Sequence, residues 1–150
     1  MAISQAMVTS FKVEILNGIH AFGTTVTRGS TAADTFRIAL FTSAATLDAS
    51  TTTYSSTNEV PNGSGYTTGG QTLTVSQVPT STSTTAWLDF DDVTWTTATI
   101  TANGALIYNS TQNDKAVAVL AFGGDKSSTA GNFTIQFPAA NSTSAIIRIA

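Results

Sequence analysis

The sequence is poor in the side chains that catalyse reactions or bind metals. Its 150 residues include no cysteine, one histidine, six basic and nine acidic residues. Without cysteine the chain has no disulfide framework and no thiolate metal ligand, although this absence does not fix its compartment. Charged residues make up 10% of the chain, against roughly 25% in an ordinary soluble domain. These absences favour a structural or interaction protein over an enzyme.

The small, weakly acidic charge also bears on possible partners. The formal net charge is −3, and the six cations are scattered along the chain: Lys12, Arg28, Arg37, Lys115, Lys126 and Arg148. Nucleic-acid binding depends on clustered Lys and Arg, so we expect no nucleic-acid partner. No stretch reaches the roughly 18 apolar residues of a membrane span, and the N-terminus lacks the pattern of a signal peptide. We therefore expect no membrane partner, and folding and assembly in the cytoplasm.

What the chain does contain is mostly threonine, serine, alanine and glycine between short apolar runs. β-Branched side chains favour strands, and a hydrophobic share of 41% supports a real core. The length fits a single domain over residues 1–150. A surface covered by hydroxyls and amides with little charge is poorly protected against association. This composition is typical of a subunit in a larger assembly.

The start of the chain predicts one amphipathic helix over about residues 4–21. Apolar residues recur there every four positions, as on one face of a helix: Met7, Phe11, Ile15 and Ile19. Ser4 is a suitable N-cap residue. His20, the single histidine, is expected on the surface at the end of this helix, where a positive charge is favourable.

Beyond Gly23 the hydrophobic period changes to two, which predicts strands. We expect seven of them, at 35–42, 71–78, 86–90, 98–108, 115–122, 133–137 and 144–149. The segments between the later strands, at 109–114, 123–132 and 138–143, have the composition of turns or short loops. The predicted fold is mainly β: an antiparallel β-sandwich or partly closed barrel with one N-terminal amphipathic helix.

Residues 43–70 form a long stretch of small polar residues that ends in PNGSGYTTGG. Long loops in compact domains are often functional, so we interpret this one as a flexible contact loop of about 43–70. On that interpretation, deletion of residues 45–68 leaves a folded domain but weakens assembly. The alternative is that the segment holds a short extra strand or merely covers one edge of the sheet.

The segment WLDFDDVTW, residues 87–95, carries the densest group of acidic residues. Asp89, Asp91 and Asp92 have the chemistry of Ca²⁺ ligands or of an acid–base pair, but their spacing does not match a calcium-binding loop. We interpret Asp91 and Asp92 as turn residues flanked by packing aromatics. The sequence therefore assigns no catalytic, cofactor-binding or metal-binding residue, and no cofactor is expected.

Exposed aromatic side chains would be needed for a sugar-binding platform. The candidates are Tyr54, Tyr66, Trp87, Trp95 and Tyr108. Some of them must belong to the core, because the chain has only eight phenylalanines besides. Their positions in the fold decide which remain available.

Most of the chain is covered by segments that together suggest a kinship. They are residues 42–74, 88–111, 120–138 and 145–150, together with FKVEILNGIH at 11–20. In this order they resemble a family of small virion structural proteins of tailed bacteriophages. The resemblance implies a component of the virion without catalytic residues.

Among virion roles we expect a capsid decoration (cement) protein that stabilises the head. Its partners would be the major capsid protein and copies of itself, in a homo-oligomer that we expect to be a trimer. Repetition over a symmetric shell lets modest contacts act together. A neck or tail structural or adaptor protein is the alternative, and a host-glycan-binding module is a further one.

Overall fold

The computed structural model describes residues 2–16, 18–24 and 32–149. Within them the chain forms eight strands and one short helix: β1 (Ala6–Met7), α1 (Thr9–Leu16), β2 (Phe36–Phe41), β3 (Gln71–Thr72), β4 (Val75–Thr82), β5 (Thr85–Phe90), β6 (Val93–Asn109), β7 (Lys115–Ile135) and β8 (Ile147–Ile149). No helix among these residues is long and apolar enough to cross a membrane.

The strands form two antiparallel sheets, which confirms the prediction of a mainly β, antiparallel fold. One sheet has five strands in the order β1-β7-β6-β2-β3, and the other has three in the order β4-β5-β8. Neither sheet closes into a barrel within the described residues. The sheets share one core, because Phe36 of β2 packs against Phe90 of β5 with ring centroids 6.1 Å apart.

The hairpin of β6 and β7 is the largest element of the fold. Its pairing runs from Asn109 opposite Lys115, beside the turn, to Val93 opposite Ile135 at the far end. The predicted turn at 109–114 lies at the tip of this hairpin, where residues 110–114 connect the two strands.

The loop predicted at 123–132 is wrong, because these residues continue β7. The strand β6 pairs with residues 126–128 and with Gly131, and the two neighbouring glycines lie in a bulge. Ala102 pairs with Lys126, and the next pair is Gly104 with Ala121, so residues 122–125 lie opposite a single residue of β6. Positive φ angles at positions 123 (+72°) and 124 (+143°) suit glycine. A loop-like composition here marks a bulge.

The amphipathic helix predicted over about residues 4–21 is also wrong. Ala6 and Met7 pair with Ala118 and Val119 of β7, and the helical residues number eight, Thr9–Leu16. Pairing with a sheet edge is a tertiary interaction that overrides the local helical period. Residue 17 of the predicted helix, and Arg28 among the cations, lie outside the described residues.

The connection between β2 and β3 spans residues 42–70 and follows the sheet closely. Four of its apolar side chains are buried in the core: Ala45, Leu47, Val60 and Tyr66. Short bridges hold its backbone, with Glu59 opposite Phe41 and Thr53 opposite Lys115. The segment therefore covers the sheet and contributes to the core, so we now expect its deletion to unfold the domain.

Candidate functional site

A buried polar cluster joins the N-terminal segment to the tip of the β6–β7 hairpin. His20 Nε2 lies 2.8 Å from Oε2 of Glu14, and Lys115 Nζ donates to Oε1 of Glu14 over 2.8 Å. Nδ2 of Asn109 lies 2.9 Å from His20 Nδ1 and donates to Oδ2 of Asp34 over 2.8 Å. We call these five residues the His20 cluster.

The hydrogen bonds of Asn109 fix the tautomer of His20. Oδ1 of Asn109 accepts the N–H groups of Thr111 and Gln112 over 3.1 and 3.2 Å, so it is Nδ2 that faces His20 and Asp34. Since Nδ2 is a donor, His20 Nδ1 accepts and carries no proton. The ring proton is on Nε2 and is donated to the carboxylate of Glu14.

The expected surface position of His20 is wrong, since its side chain has no exposed surface. Phe11 packs edge-on against the imidazole at 4.8 Å between ring centroids, and Phe36 lies at 6.3 Å. Burial lowers the pKa of His20 below its usual value, although Glu14 acts in the opposite direction. The hydrogen-bond partners in this cluster lie far apart in the sequence, so no local motif indicates them.

Glu14 itself stays readily ionised. Burial acts to raise its pKa, yet the hydrogen bonds from Lys115 and His20 together bring it below the usual value. The cluster thus combines a buried carboxylate with two donors that hold it, and the bonds from His20 and Lys115 use both of its oxygens.

A second buried cluster surrounds Glu59, the only other glutamate of the chain. The hydroxyls of Tyr54 and Tyr66 each donate to its carboxylate over 2.6 Å, and the N–H of Gly69 donates over 2.7 Å. The Tyr66 hydroxyl also accepts the N–H of Leu40 in β2 over 2.9 Å. The cluster therefore fixes the 42–70 connection on the five-stranded sheet. A lone glutamate in an uncharged stretch was the available sequence signal.

Carbonyl groups at the end of this connection are held by β2 and β6. Arg37 donates from Nη2 to the carbonyl of Gly70 over 2.7 Å, and Tyr108 donates to that of Gly69 over 2.8 Å. The ring of Tyr54 stacks on that of Tyr108 at 4.5 Å. These hydrogen bonds hold the end of the connection on the five-stranded sheet.

The three aspartates of the 87–95 segment do not converge on one point. Asp89 is 1% exposed, its Oδ1 accepts the N–H of Phe90 over 2.9 Å, and its Oδ2 has no hydrogen-bond partner. Burial raises its pKa. Asp91 and Asp92 are exposed in the connection between β5 and β6, and Asp92 accepts the N–H of Phe137 over 2.8 Å. Across the described residues, no three His, Asp or Glu side chains are grouped as metal ligands.

The five aromatic candidates do not form a sugar-binding platform. Tyr66, Trp95 and Tyr108 are buried, and Tyr54 is half-buried against Tyr108. Trp87 is half-buried and lines an apolar groove of about 220 Å³ between α1 and the three-stranded sheet. Ile149, 50% exposed, stands at the rim of this groove.

The outer side of β7 is the most extensive free backbone edge in the part of the chain that the structure describes. β1 pairs there with Ala118 and Val119 only, and no described strand pairs with residues 120–135 on that side. We call residues 120–135 the β7 edge. Asp125 and Lys126 are its only charged residues. A shallow groove of about 430 Å³ runs along it, lined by residues from Phe122 onward.

The exposed face of the same hairpin carries hydroxyl groups. Thr94 and Thr134 are joined by a hydrogen bond of 2.8 Å between their Oγ1 atoms. Oγ1 of Thr101 lies 2.9 Å from Oγ of Ser127. Such cross-strand pairs stabilise the hairpin with uncharged polar groups.

Comparisons with protein-family models, with curated proteins and with solved structures found no match. The sequence segments described above and the surfaces of this fold are therefore what indicates a function. Of these surfaces, the β7 edge is the longest strand edge that no described strand pairs with, whereas the two polar clusters are internal.

Proposed function

We propose that this protein is a virion structural protein of a tailed bacteriophage, most specifically a capsid decoration (cement) protein. It stabilises the head by binding adjacent capsid subunits and copies of itself, without a cofactor and without bond-making chemistry. The observation that supports this proposal is the β7 edge, a long strand edge that no described strand covers and that carries two charged residues.

A free strand edge offers unpaired N–H and C=O groups to any chain that approaches. Soluble proteins protect such edges with charges, prolines or bulges. The β7 edge has bulges, one aspartate and one lysine, and its other residues are uncharged. In an assembly a neighbouring subunit covers the edge by strand addition or by loop contacts. Such an edge is typical of a subunit whose neighbour covers it in an assembly.

Repetition explains how a weakly charged surface gives stable attachment. Each copy makes modest contacts, and an oligomer that binds several capsid subunits at once gains affinity through a high effective concentration. We propose a homo-oligomer, specifically a trimer, whose copies bind adjacent subunits of the major capsid protein. The site of action is then the assembled virion, with assembly in the host cytoplasm.

A neck or tail structural protein remains the alternative, because a free strand edge suits those assemblies as well. The copy number per particle separates the two roles. Hundreds of copies indicate the shell, and a dozen or fewer indicate the neck or tail. A glycan-binding module has no support from the described aromatics, because the five candidates do not form an exposed platform.

The contact role of the β7 edge is tested by placing a charge on it. Thr129 is an exposed residue of this edge, so T129K adds a charged side chain that opposes strand pairing. We expect T129K to reduce co-sedimentation with shells of the cognate capsid protein at least about tenfold, a loss of roughly 1.4 kcal/mol. T84K, at the exposed turn between β4 and β5, is the matched control and should bind as the unaltered chain does.

Two results would count against the proposal. If the unaltered chain does not bind shells at all, the decoration role is wrong. If T129K binds as well as T84K, the β7 edge is not the contact surface. Circular dichroism and thermal melting of both variants show that each remains folded.

A further inference from the structure

We propose that the His20 cluster is a proton-operated latch, in which protonation of His20 releases the N-terminal segment from the five-stranded sheet. The N-terminal segment here comprises β1, α1 and residues 18–22. The strands β2 to β8 stay paired when it is released. This inference concerns the folded chain itself and does not depend on the proposed function.

The geometry leaves one place for a second proton on the imidazole. Nε2 already carries a proton, which it donates to Glu14, so protonation must occur at Nδ1. Nδ1 faces the Nδ2 donor of Asn109 at 2.9 Å. Two N–H donors then point at each other, and the hydrogen bond between His20 and Asn109 is lost.

Asn109 cannot adapt by turning its amide over. Its Oδ1 accepts two backbone N–H groups in the hairpin turn, from Thr111 and Gln112. Its Nδ2 also donates to the carboxylate of Asp34 over 2.8 Å. A flip would set an NH₂ against two N–H donors and an oxygen against a carboxylate, so the imidazole must move instead.

Charged groups from three parts of the chain face the ring. Glu14 of α1 and Asp34 favour the imidazolium, whereas Lys115 of β7 disfavours it. Burial of the ring against Phe11, Phe22 and Phe36 also disfavours the charged form. Burial is the largest of these influences and keeps the pKa of His20 below 6.5.

Movement of His20 is transmitted to its neighbours through backbone hydrogen bonds. Ala21 donates its N–H to the Asp34 carboxylate over 3.0 Å and accepts the N–H of Asp34 over 3.2 Å. The ladder between β1 and β7 is two residues long, and Val8 N donates to Val117 O over 3.2 Å. Residues 3 and 4, before the segment, are bonded to Leu47. A segment held by so short a ladder can open locally while β2 to β8 remain paired.

The sign of the pH effect follows from the lowered pKa. The released state has an ordinary imidazole and takes up a proton more readily than the latched state does. Release is therefore favoured as the pH falls below about 6.5, by up to about tenfold per pH unit. The effect levels off once the pH is below the pKa of the latched state. Above about 6.5 the latch is closed and release is independent of His20.

The single histidine makes the experiment direct, because one imidazole titrates in the whole chain. Amide hydrogen exchange, corrected for intrinsic rates, is measured between pH 5 and 7.5 for Val8 and Asp34, with Ile38 and Leu106 reporting on the sheet. We expect the opening constants of Val8 and Asp34 to rise as the pH falls below 6.5, while those of the sheet amides stay constant. H20Q, whose amide offers a donor and an acceptor but takes up no proton, should abolish the rise.

D91N is the matched control, since it alters an exposed side chain outside the cluster and should keep the pH dependence. Constant opening of Val8 and Asp34 in the unaltered chain, or a persisting rise in H20Q, would overturn the proposal. NMR titration of the His20 imidazole in the unaltered chain supplies a second readout if H20Q fails to fold. A pKa below 6.5 that accounts for the opening curve supports the latch, and a pKa at or above 6.5 refutes it.

Discussion

The hydroxyl of Tyr66 donates a hydrogen bond to Oε1 of Glu59 over 2.6 Å, and the same hydroxyl oxygen accepts the N–H of Leu40 over 2.9 Å. Tyr66 is 2% exposed and Glu59 is 8% exposed. One hydroxyl thus joins the 42–70 connection to β2 in the core. The integrity of this connection depends on a buried polar contact as well as on apolar packing.

Removal of that hydroxyl tests the contact. In Y66F the N–H of Leu40 has no acceptor and Glu59 loses one donor, so we expect the free energy of unfolding to fall by about 1–3 kcal/mol. Y54F removes one hydroxyl from the other oxygen of Glu59 at a half-buried position, where water can replace it. We expect a loss of about 0.5–1.5 kcal/mol there. Urea unfolding measures both losses. A loss for Y54F that equals or exceeds the loss for Y66F would contradict this explanation.

Deletion of residues 45–68 provides a test of the whole connection. The segment contains four buried apolar side chains and the carboxylate of Glu59. We expect the shortened chain to lose its cooperative unfolding transition and the dispersion of its amide NMR spectrum. A folded deletion variant with native-like chemical shifts in β6 and β7 would show that the connection is dispensable, as a contact loop would be.

Gly70 lies where the connection passes closest to β2. A Cβ at this position would be 1.8 Å from the carbonyl oxygen of Ile38, and φ is +67°. G70A must displace backbone, so we expect a loss of about 4 kcal/mol or more, or no folded protein. Gly63 also has a positive φ, +114°, but no atom lies within 4 Å of its Cβ position. G63A should cost only about 1–3 kcal/mol of backbone strain. If G70A and G63A lose similar amounts of stability in thermal and urea unfolding, the close approach of Gly70 to Ile38 is refuted.

Asp89 should make the stability depend on pH in the opposite direction to a salt-bridged carboxylate. Burial raises its pKa above 3.8, so the folded state holds the proton more tightly than the unfolded state does. Its contribution is therefore most favourable below pH 3.8 and is lost as the pH rises through the folded-state pKa. We expect the stability of D89N relative to the unaltered chain to increase between pH 3.5 and pH 7.

The added amide hydrogens of D89N have the same effect at both pH values, so the difference between the two measurements isolates the carboxyl group. D91N is the control, because this side chain is exposed and its replacement should change stability by less than about 0.5 kcal/mol at either pH. A relative stability of D89N that stays constant or decreases with pH would contradict the burial argument.

The regular strands of the fold could be predicted because their pattern is local. Residues 35–42 were predicted and 36–41 are observed, and 86–90 were predicted where β5 spans 85–90. The course of β7 could not be predicted in the same way. Its central residues have the composition of a loop, and they remain in the strand because β6 pairs with them on either side of the bulge.

The buried polar clusters could not be predicted either, because their members are far apart in the sequence. His20 is 89 residues from Asn109, and Lys115 is 101 residues from Glu14. Only the antiparallel hairpin and the docking of the N-terminal segment bring these side chains together. Asp91 and Asp92 do lie between two strands, but no turn forms there, and the carboxylate of Asp92 accepts the N–H of the distant Phe137.

On the proposed function, this chain works as a repeated subunit on a phage head. The most direct measurement is a cryo-electron microscopy map of the particle in which the chain is located by fitting its β6–β7 hairpin. We expect density for the chain at symmetry-related positions over the whole shell, with the β7 edge against a capsid subunit or a second copy. Density confined to the neck or tail, or particles without the chain, would contradict it.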